Sequence, residues 1–419
     1  MARRDLNVWQ LTALSAPTLA FAAFETAQRM LLPSFLTDHV GIGVALAGGL
    51  LMSVRLLDIL ADAVCGTLSD LDLVPRIGRR RFWIAAGLPL AMASTTYLFL
   101  ANAGAAFVSL VVAFALATLG WTMVNASHGA WALEAATGLV PRSRVFAGRT
   151  IAGLLGFAVL TGALLFGASD AQGRIGTSLS VLWIAAPLST VLLFRFAPHI
   201  VEAKTTSTLV ELLPAWRASF ASPRRRRLGL LFALVGAHAA LTAGSYIYLV
   251  ERGLSLAHWA MPALFAQALA TAVGLVAATA FLERLGIRRL LCLVFTGNGL
   301  LALAILALPM GNAGALLLWA VFRGLISAVD FMVVRALAGK ELDAEQARSG
   351  HAPAGVFYAA FHLPYNLAGA IATGLLFYGF SLAAMSDTNP ASDAARWIPA
   401  CGGAALSLLC LMVSTRLDR

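Results

Sequence analysis

Charge is scarce in this sequence. Asp, Glu, Lys and Arg make up 12% of the 419 residues, against roughly 25% in soluble domains. With 60% hydrophobic residues and a mean hydropathy of +0.83, most of the chain belongs in lipid. Cysteine is scarce too. Cys65, Cys292, Cys401 and Cys410 lie in apolar runs without a Cys-x-x-Cys pair, so they read as small buried hydrophobes, not as disulfides or metal ligands. A processing site is missing as well. After Met-Ala-Arg-Arg-Asp an apolar segment runs for about 25 residues without small-residue cleavage chemistry, and is expected to stay as a membrane helix. The formal charge of +10 does not imply a nucleic-acid partner, because the arginines cluster in short loops between apolar segments.

What is present is a series of about twelve apolar stretches long enough to span a bilayer. They are residues 10–36, 41–69, 82–102, 105–136, 145–169, 175–197, 228–250, 257–282, 289–309, 312–339, 353–382 and 395–415. Pro17, Pro33 and Pro364 are candidate kinks. Basic loops alternate in side: Arg76, Arg142, Arg224 to Arg227, Arg288, Lys340 and Arg416 fall on one side, and little beyond Arg174, Arg252 and Arg396 on the other. The positive-inside rule then makes both termini cytoplasmic and the helix count even. The longest polar stretch, 198–227, divides the chain into six helices at 1–197 and six at 228–419. "RIGRRRFW" after the second helix is echoed by "ERLGIRRLL" after the eighth, which points to a duplicated six-helix unit around a midplane cavity.

The second stretch carries Arg55, Asp58 and Asp62, spaced i, i+3 and i+7. On a helix they fall within a ~60° arc. Each charge left unpaired at the bilayer centre costs ~2.5–3.5 kcal/mol on insertion scales. The set carries net −1, which one monovalent cation or one proton would neutralise. That is the logic of a coupling site in a secondary transporter. The plainer reading is an Arg–Asp pair tying this helix to a neighbour, which leaves one aspartate over.

"RLLDILADAVCGTLSDLDLVPRIGRRRFWIAAG" resembles the glycoside–pentoside–hexuronide:cation symporters, the melibiose-permease branch of the major facilitator superfamily. Their pattern there is Arg-x-x-Asp-x-x-x-Asp-x-x-x-Gly followed by Gly-Arg-Arg-Arg. The resemblance implies an all-α integral membrane protein with twelve transmembrane helices in two pseudo-symmetric six-helix bundles, working by alternating access. It implies that Asp58 and Asp62 are cation-binding positions with Arg55 beside them. It also implies that Asp70, Gly78, Arg79, Arg80 and Arg81 form a cytoplasmic gate; topology signalling alone is the simpler role for those arginines. Asn125, Glu134 and Arg149 match the fourth-helix pattern, and the segment around 324–376 has the spacing of the tenth and eleventh helices.

The departures bear on the substrate. An acid used on the first helix by the melibiose-permease branch falls at Ala22, its sugar-binding acid on the fourth helix at Ser127, and a lysine of the eleventh helix at Asn366, while a tryptophan is kept as Trp131. A galactoside and sodium are therefore not implied. The candidate cavity is lined by Asn125, Ser127, His128 and Trp131 on the fourth helix, Asp330 on the tenth, and Tyr358, His362 and Asn366 on the eleventh. Rings and polar tips suit a polar organic solute, whereas single polar residues in membrane helices also serve plain interhelical hydrogen bonding. Arg323, Ser327 and Asp330 are expected on one face of the tenth helix, and Glu25 with Arg29 as an i, i+4 pair. Neither His128 nor His362 has a second histidine at i, i+4, so no metal is expected.

Enzymatic chemistry is not expected, since the charges are dispersed over five helices without a nucleophile, base or metal constellation. The expectation is a monomeric secondary transporter in the cell inner membrane, coupling a sugar- or glycoside-like solute to H+ or Na+ without a cofactor. Two alternatives stay open: transport of a lysolipid or other amphipathic solute, and a non-transporting assembly factor of the same fold.

Overall fold

The computed structural model describes residues 6–32, 35–42, 44–74, 76–101, 105–166, 171–198, 209–350, 352–384 and 390–417. Among them there is no strand. The helices are α1 (Val8–Met30), α2 (Val44–Leu68), α3 (Arg79–Phe99), α4 (Phe107–Ala135), α5 (Leu139–Phe166), α6 (Ala171–Phe196), α7 (Leu209–Ser219), α8 (Pro223–Tyr248), α9 (Ala260–Ala304), α10 (Ala313–Ile326), α11 (Val329–Ser349), α12 (Ala354–Ala384) and α13 (Pro390–Ser414). Each of the twelve apolar stretches carries helix. Eight helical stretches are long and apolar enough to cross a membrane among the described residues; α1, α2 and α12, at 23, 25 and 31 residues, also have crossing length.

Local chemistry sets the helix ends. Asn7 and Gln10 form a reciprocal capping box at α1 (3.2 and 2.8 Å). Ser222 caps α8 with Pro223 in its first turn, and Asn312 caps α10 through Ala315 N–H at 3.0 Å. α9 is two helices joined at Gly286, whose φ of 73° no other residue adopts as readily. This is the glycine of "ERLGIRRLL", and Gly78 of "RIGRRRFW" holds a φ of 85° at the start of α3.

The chain forms two compact units, 1–216 with 342–359, and 217–341 with 360–419. In the first, a core around Phe24, Phe99, Trp121 and Leu160 is closed by glycine contacts. A methyl at Gly156 would strike the Leu19 carbonyl, and one at Gly120 the backbone of Ala91. Small residues let membrane helices approach this closely. In the second unit, Leu316, Trp319, Val250 and Ala400 share a core; Gly274 lies against Leu325 and Gly324 against Gln267. Arg396, one of the few basic residues on the sparsely charged side, donates to the carbonyls of Leu306 and Leu308, both at 2.8 Å. It satisfies a helix C-terminus that would otherwise leave carbonyls bare.

The polar stretch 198–227 contains helix α7, with Trp216 Nε1 donating to Thr67 Oγ1 at 3.0 Å; 199–208 and the candidate kink Pro33 lie outside the described residues. The tenth predicted helix is broken. α10 ends at Ile326, α11 begins at Val329, and Ala328 between them has a φ of 65°, a left-handed conformation that costs a residue with a side chain about 1–2 kcal/mol. Arg323, Ser327 and Asp330 therefore do not share one helical face.

Candidate functional site

Asp58 of α2 faces α4. It accepts a hydrogen bond from Thr122 Oγ1 at 2.9 Å. Asp58 and Asp62 are both half-buried; the Arg55 and Arg29 side chains lie outside the described residues. One turn along α4 from Thr122, Asn125 accepts from Arg149 Nη2 of α5 at 3.4 Å, and Arg149 Nε reaches Thr18 Oγ1 of α1 at 3.4 Å. Arg149 is 2% exposed. A single turn of α4 thus links a carboxylate on α2 to a buried guanidinium on α5, because i and i+3 lie on one helix face. Thr122 was not evident from the sequence: a threonine in an apolar helix reads as packing until its partner is known.

The other α4 residues go elsewhere. His128 is buried, its Nε2 2.6 Å from the Leu14 carbonyl of α1. Ser127 is fully buried and its hydroxyl has no partner among the described residues. Trp131 lies in an apolar cluster with Leu14, Ile84 and Leu193 and stacks on Phe194 at 6.5 Å. Gly129 presents bare backbone to the ring of Tyr358, leaving no room for a Cβ. His362 sits among Phe232, Phe331 and Tyr365, at ring distances of 6.3, 5.8 and 5.9 Å. Asn366 is half-buried on α12. Asp330 is buried at the start of α11, where its Oδ1 accepts the Phe331 N–H at 2.7 Å, and it forms no ion pair among the described residues. Arg335, not singled out in the sequence, lies 3.7 Å above the Phe331 ring, which itself stacks on Tyr365 at 4.3 Å.

A second cluster lies at the α2–α3 loop. Asp70, 0% exposed, accepts from Arg80 Nη2 at 2.6 Å and from the backbone N–H groups of Gly355 and Val356 at 3.0 and 2.8 Å. The latter two are orphan donors of the α12 N-terminus, where a carboxylate is stabilised by the helix dipole. Arg80 also reaches Glu134 at 2.7 Å and Ser69 Oγ at 2.7 Å, and Arg79 reaches Glu134 at 2.7 Å. Two acids and two arginines balance, which buried charges require. Arg81 is not part of this set; it donates to the Phe194 carbonyl at 3.0 Å and lies over the Trp131 ring. Arg142 makes a two-pronged pair with Asp343 of α11, both bonds 2.7 Å, and a third bond to the Leu133 carbonyl at 2.9 Å. No group of three or more His, Cys, Asp or Glu able to hold a metal occurs among the described residues.

A sequence model of the MFS/sugar transport protein family matches residues 13–417. An uncharacterized symporter of Synechocystis sp. is 31% identical over 174 residues, 38% of this chain and 32% of that protein. The chain thus spans about a third of that relative's length. Among solved structures, the human organic anion transporter MFSD10 superimposes with a TM-score of 0.70 at 16% identity, covering 97% of this chain and 99% of that one. The proton:xylose symporter XylE gives 0.68 at 14% identity, covering 96% and 94%. A bacterial homologue of the iron transporter ferroportin gives 0.68 at 14% identity, covering 99% and 100%. At these identities the likeness is one of fold, an all-α major facilitator arrangement.

Proposed function

The chain belongs to the MFS/sugar transport protein family, and from that premise we propose that it is a secondary active transporter coupling a polar organic solute, sugar- or glycoside-like, to a proton or sodium ion. Family and fold point to a multi-pass membrane transporter of a small molecule and away from an enzyme. By their names the structural neighbours are an organic anion transporter, a homologue of an iron transporter and a proton:xylose symporter, so the fold leaves the solute open.

The observation that carries the reading is the Asp58–Thr122 hydrogen bond one turn from Asn125–Arg149. In this reading Asp58 and Asp62 take the ion, with Arg55 beside them. Arg149, Asn125 and the nearby polar groups take the solute. α4 carries the signal, since a change at the Asp58 carboxylate pulls on Thr122 and hence on the turn that presents Asn125. Coupling of this kind needs only a differential affinity for two states. Protons are favoured over sodium. Ala22 and Ser127 replace acids used by sodium-dependent relatives, leaving fewer hard oxygens to replace an ion's water, whereas a proton needs one carboxylate.

Asp70, Gly78, Arg79 and Arg80 serve as the inner gate, holding residues 342–359 through the α12 N-terminus, and Arg142–Asp343 reinforces it. Release of that segment opens the inward path. Arg81 supports the gate by fixing α3 to α6. The two halves, 1–197 and 228–419, act as the moving bundles joined by 198–227, with both termini cytoplasmic in an inner membrane and the protein a monomer.

The test is uptake into proteoliposomes of a sugar and lysolipid panel under an imposed pH or sodium gradient. Gradient-driven accumulation of a hydrophilic solute supports the reading. Accumulation of lysolipids alone, or none of any solute, contradicts it.

A further inference from the structure

The second unit contains a cation that neither the coupling site nor the gate uses. Arg323 lies on α10, ten residues from its start at Ala313. At 1.5 Å per residue that is ~15 Å, half of a ~30 Å hydrocarbon core. The lipid side of α10 is marked by exposed Leu318, Val321, Phe322 and Leu325, and its packed side by buried Leu316, Trp319, Ala320 and Gly324. Arg323 follows Leu316 and Trp319 on the packed stripe, so its charge points into protein. A guanidinium has five N–H donors. Among the described residues its side chain makes no hydrogen bond and no ion pair; its one recorded contact is the face of Trp319, 5.2 Å from the ring centroid. An aromatic face attracts the charge but accepts none of the donors well. Asp330, which the sequence placed on the same face, is set apart by the helix break.

Its surroundings are polar and equally underused. His238 of α8 lies within electrostatic reach of Arg323, and its ring makes no hydrogen bond among the described residues. Gln267 of α9 lies against Gly324, the neighbour of Arg323, and its side-chain Oε1 is buried with no partner among the described residues. Tyr246, also in electrostatic reach, has its hydroxyl committed to the Ala260 carbonyl at 2.8 Å. Three helices of one unit thus bring an arginine, an imidazole and an amide near one another, with donors in excess and no carboxylate paired to the arginine among the described residues. A charge kept at mid-membrane without a partner marks a ligand path, and Arg is the side chain suited to an oxyanion, which it holds with two parallel N–H bonds.

We propose that Arg323, with His238 and Gln267, is an anion-recognition site in the second unit, and that the solute carries a carboxylate, sulfonate or phosphate group which binds there. The assignment rests on the transporter reading and narrows its substrate class from polar to acidic organic solutes.

The experiment uses the purified full-length protein in detergent at constant pH with choline as the only added cation, so that no ion gradient or sodium enters. Trp319 beneath the guanidinium is the reporter, with Trp319→Phe as the reference for the other tryptophans. Gluconate and sorbitol are titrated as a matched pair differing in one carboxylate; acetate, sulfate and inorganic phosphate extend the panel. The expected result is a Trp319-dependent signal with gluconate binding at least tenfold tighter than sorbitol. Arg323→Gln reduces gluconate to the sorbitol level, and Arg323→Lys keeps part of the preference. Equal responses to gluconate and sorbitol, no Trp319-dependent response to any of the anions, or an unchanged gluconate titration in a folded Arg323→Gln protein would each overturn the proposal. The wild-type comparison stands even where the Gln variant fails to fold. Binding without gradient-driven uptake would sink the transporter reading and leave the anion site, and uptake of neutral solutes alone would do the reverse.

Discussion

Arg142 and Asp343 are 201 residues apart in the chain and meet in a two-pronged pair, both bonds 2.7 Å. Arg142 is 1% exposed and Asp343 33%, so the aspartate holds its partner's charge from the wet side. Removing it strands a buried guanidinium with one backbone carbonyl. Asp343→Asn is expected to cost about 1.5–3 kcal/mol, the range for charged hydrogen bonds, seen as a lower thermal midpoint of the purified protein. The double variant Arg142→Gln with Asp343→Asn is expected to be less damaged than additivity requires, because it also removes the stranded charge. Additive losses would show that the pair is incidental.

Gly355 sits where α12 meets α2. A methyl there would run into the Gly66 carbonyl oxygen and crowd Ser69 Oγ and Asp70. Gly355→Ala is expected to displace residues 342–359 and expose the Asp70 cluster. The measurement is trypsin sensitivity at Arg348 in inside-out membranes, which rises in the variant; wild-type cleavage kinetics would remove this contact from the gate.

Much of this arrangement was legible in the sequence, and the reason differs by residue. Asp58 and Asp62 stood out because a carboxylate in an apolar run needs a partner. Asp70 and Gly78 stood out through the resemblance, which makes them part of a cytoplasmic loop motif with the arginines that follow. The Arg142–Asp343 pair was hidden, since both residues lie in ordinary basic and acidic loop sequence. The break at Ala328 was hidden too. No glycine or proline marks it, and the chain turns there with Ser327 N–H donating to the Arg323 carbonyl at 2.8 Å. His128 was legible as polar but not as a clamp, because its partner is the backbone of Leu14.

The α2–α3 loop is expected to face the cytoplasm. Ile77 is exposed, so a cysteine introduced there meets any reagent that reaches that side. It should resist a membrane-impermeant maleimide added outside intact cells and react after permeabilisation. Strong labelling before permeabilisation would invert the topology.

Thr122→Val keeps the shape of α4 and removes the hydroxyl that Asp58 accepts from. A hydrogen bond to a charged group contributes about 1.5–3 kcal/mol. The expected outcome is an apparent affinity for the coupling ion changed by at least tenfold in gradient-driven uptake, with the protein still folded. An unaltered ion dependence would detach Asp58 from α4.

The central claim is that the α2 carboxylates couple an ion gradient to solute movement. The most direct measurement is uptake in proteoliposomes of a solute first identified by thermal stabilisation, comparing wild type with Asp58→Asn and Asp62→Asn under an imposed pH gradient and, separately, an imposed sodium gradient. The account predicts that the pH gradient drives wild-type accumulation above equilibrium, and that each folded variant only equilibrates the solute. Undiminished accumulation in both variants would contradict the coupling role of these two residues, and accumulation driven by sodium but not by the pH gradient would contradict the choice of ion.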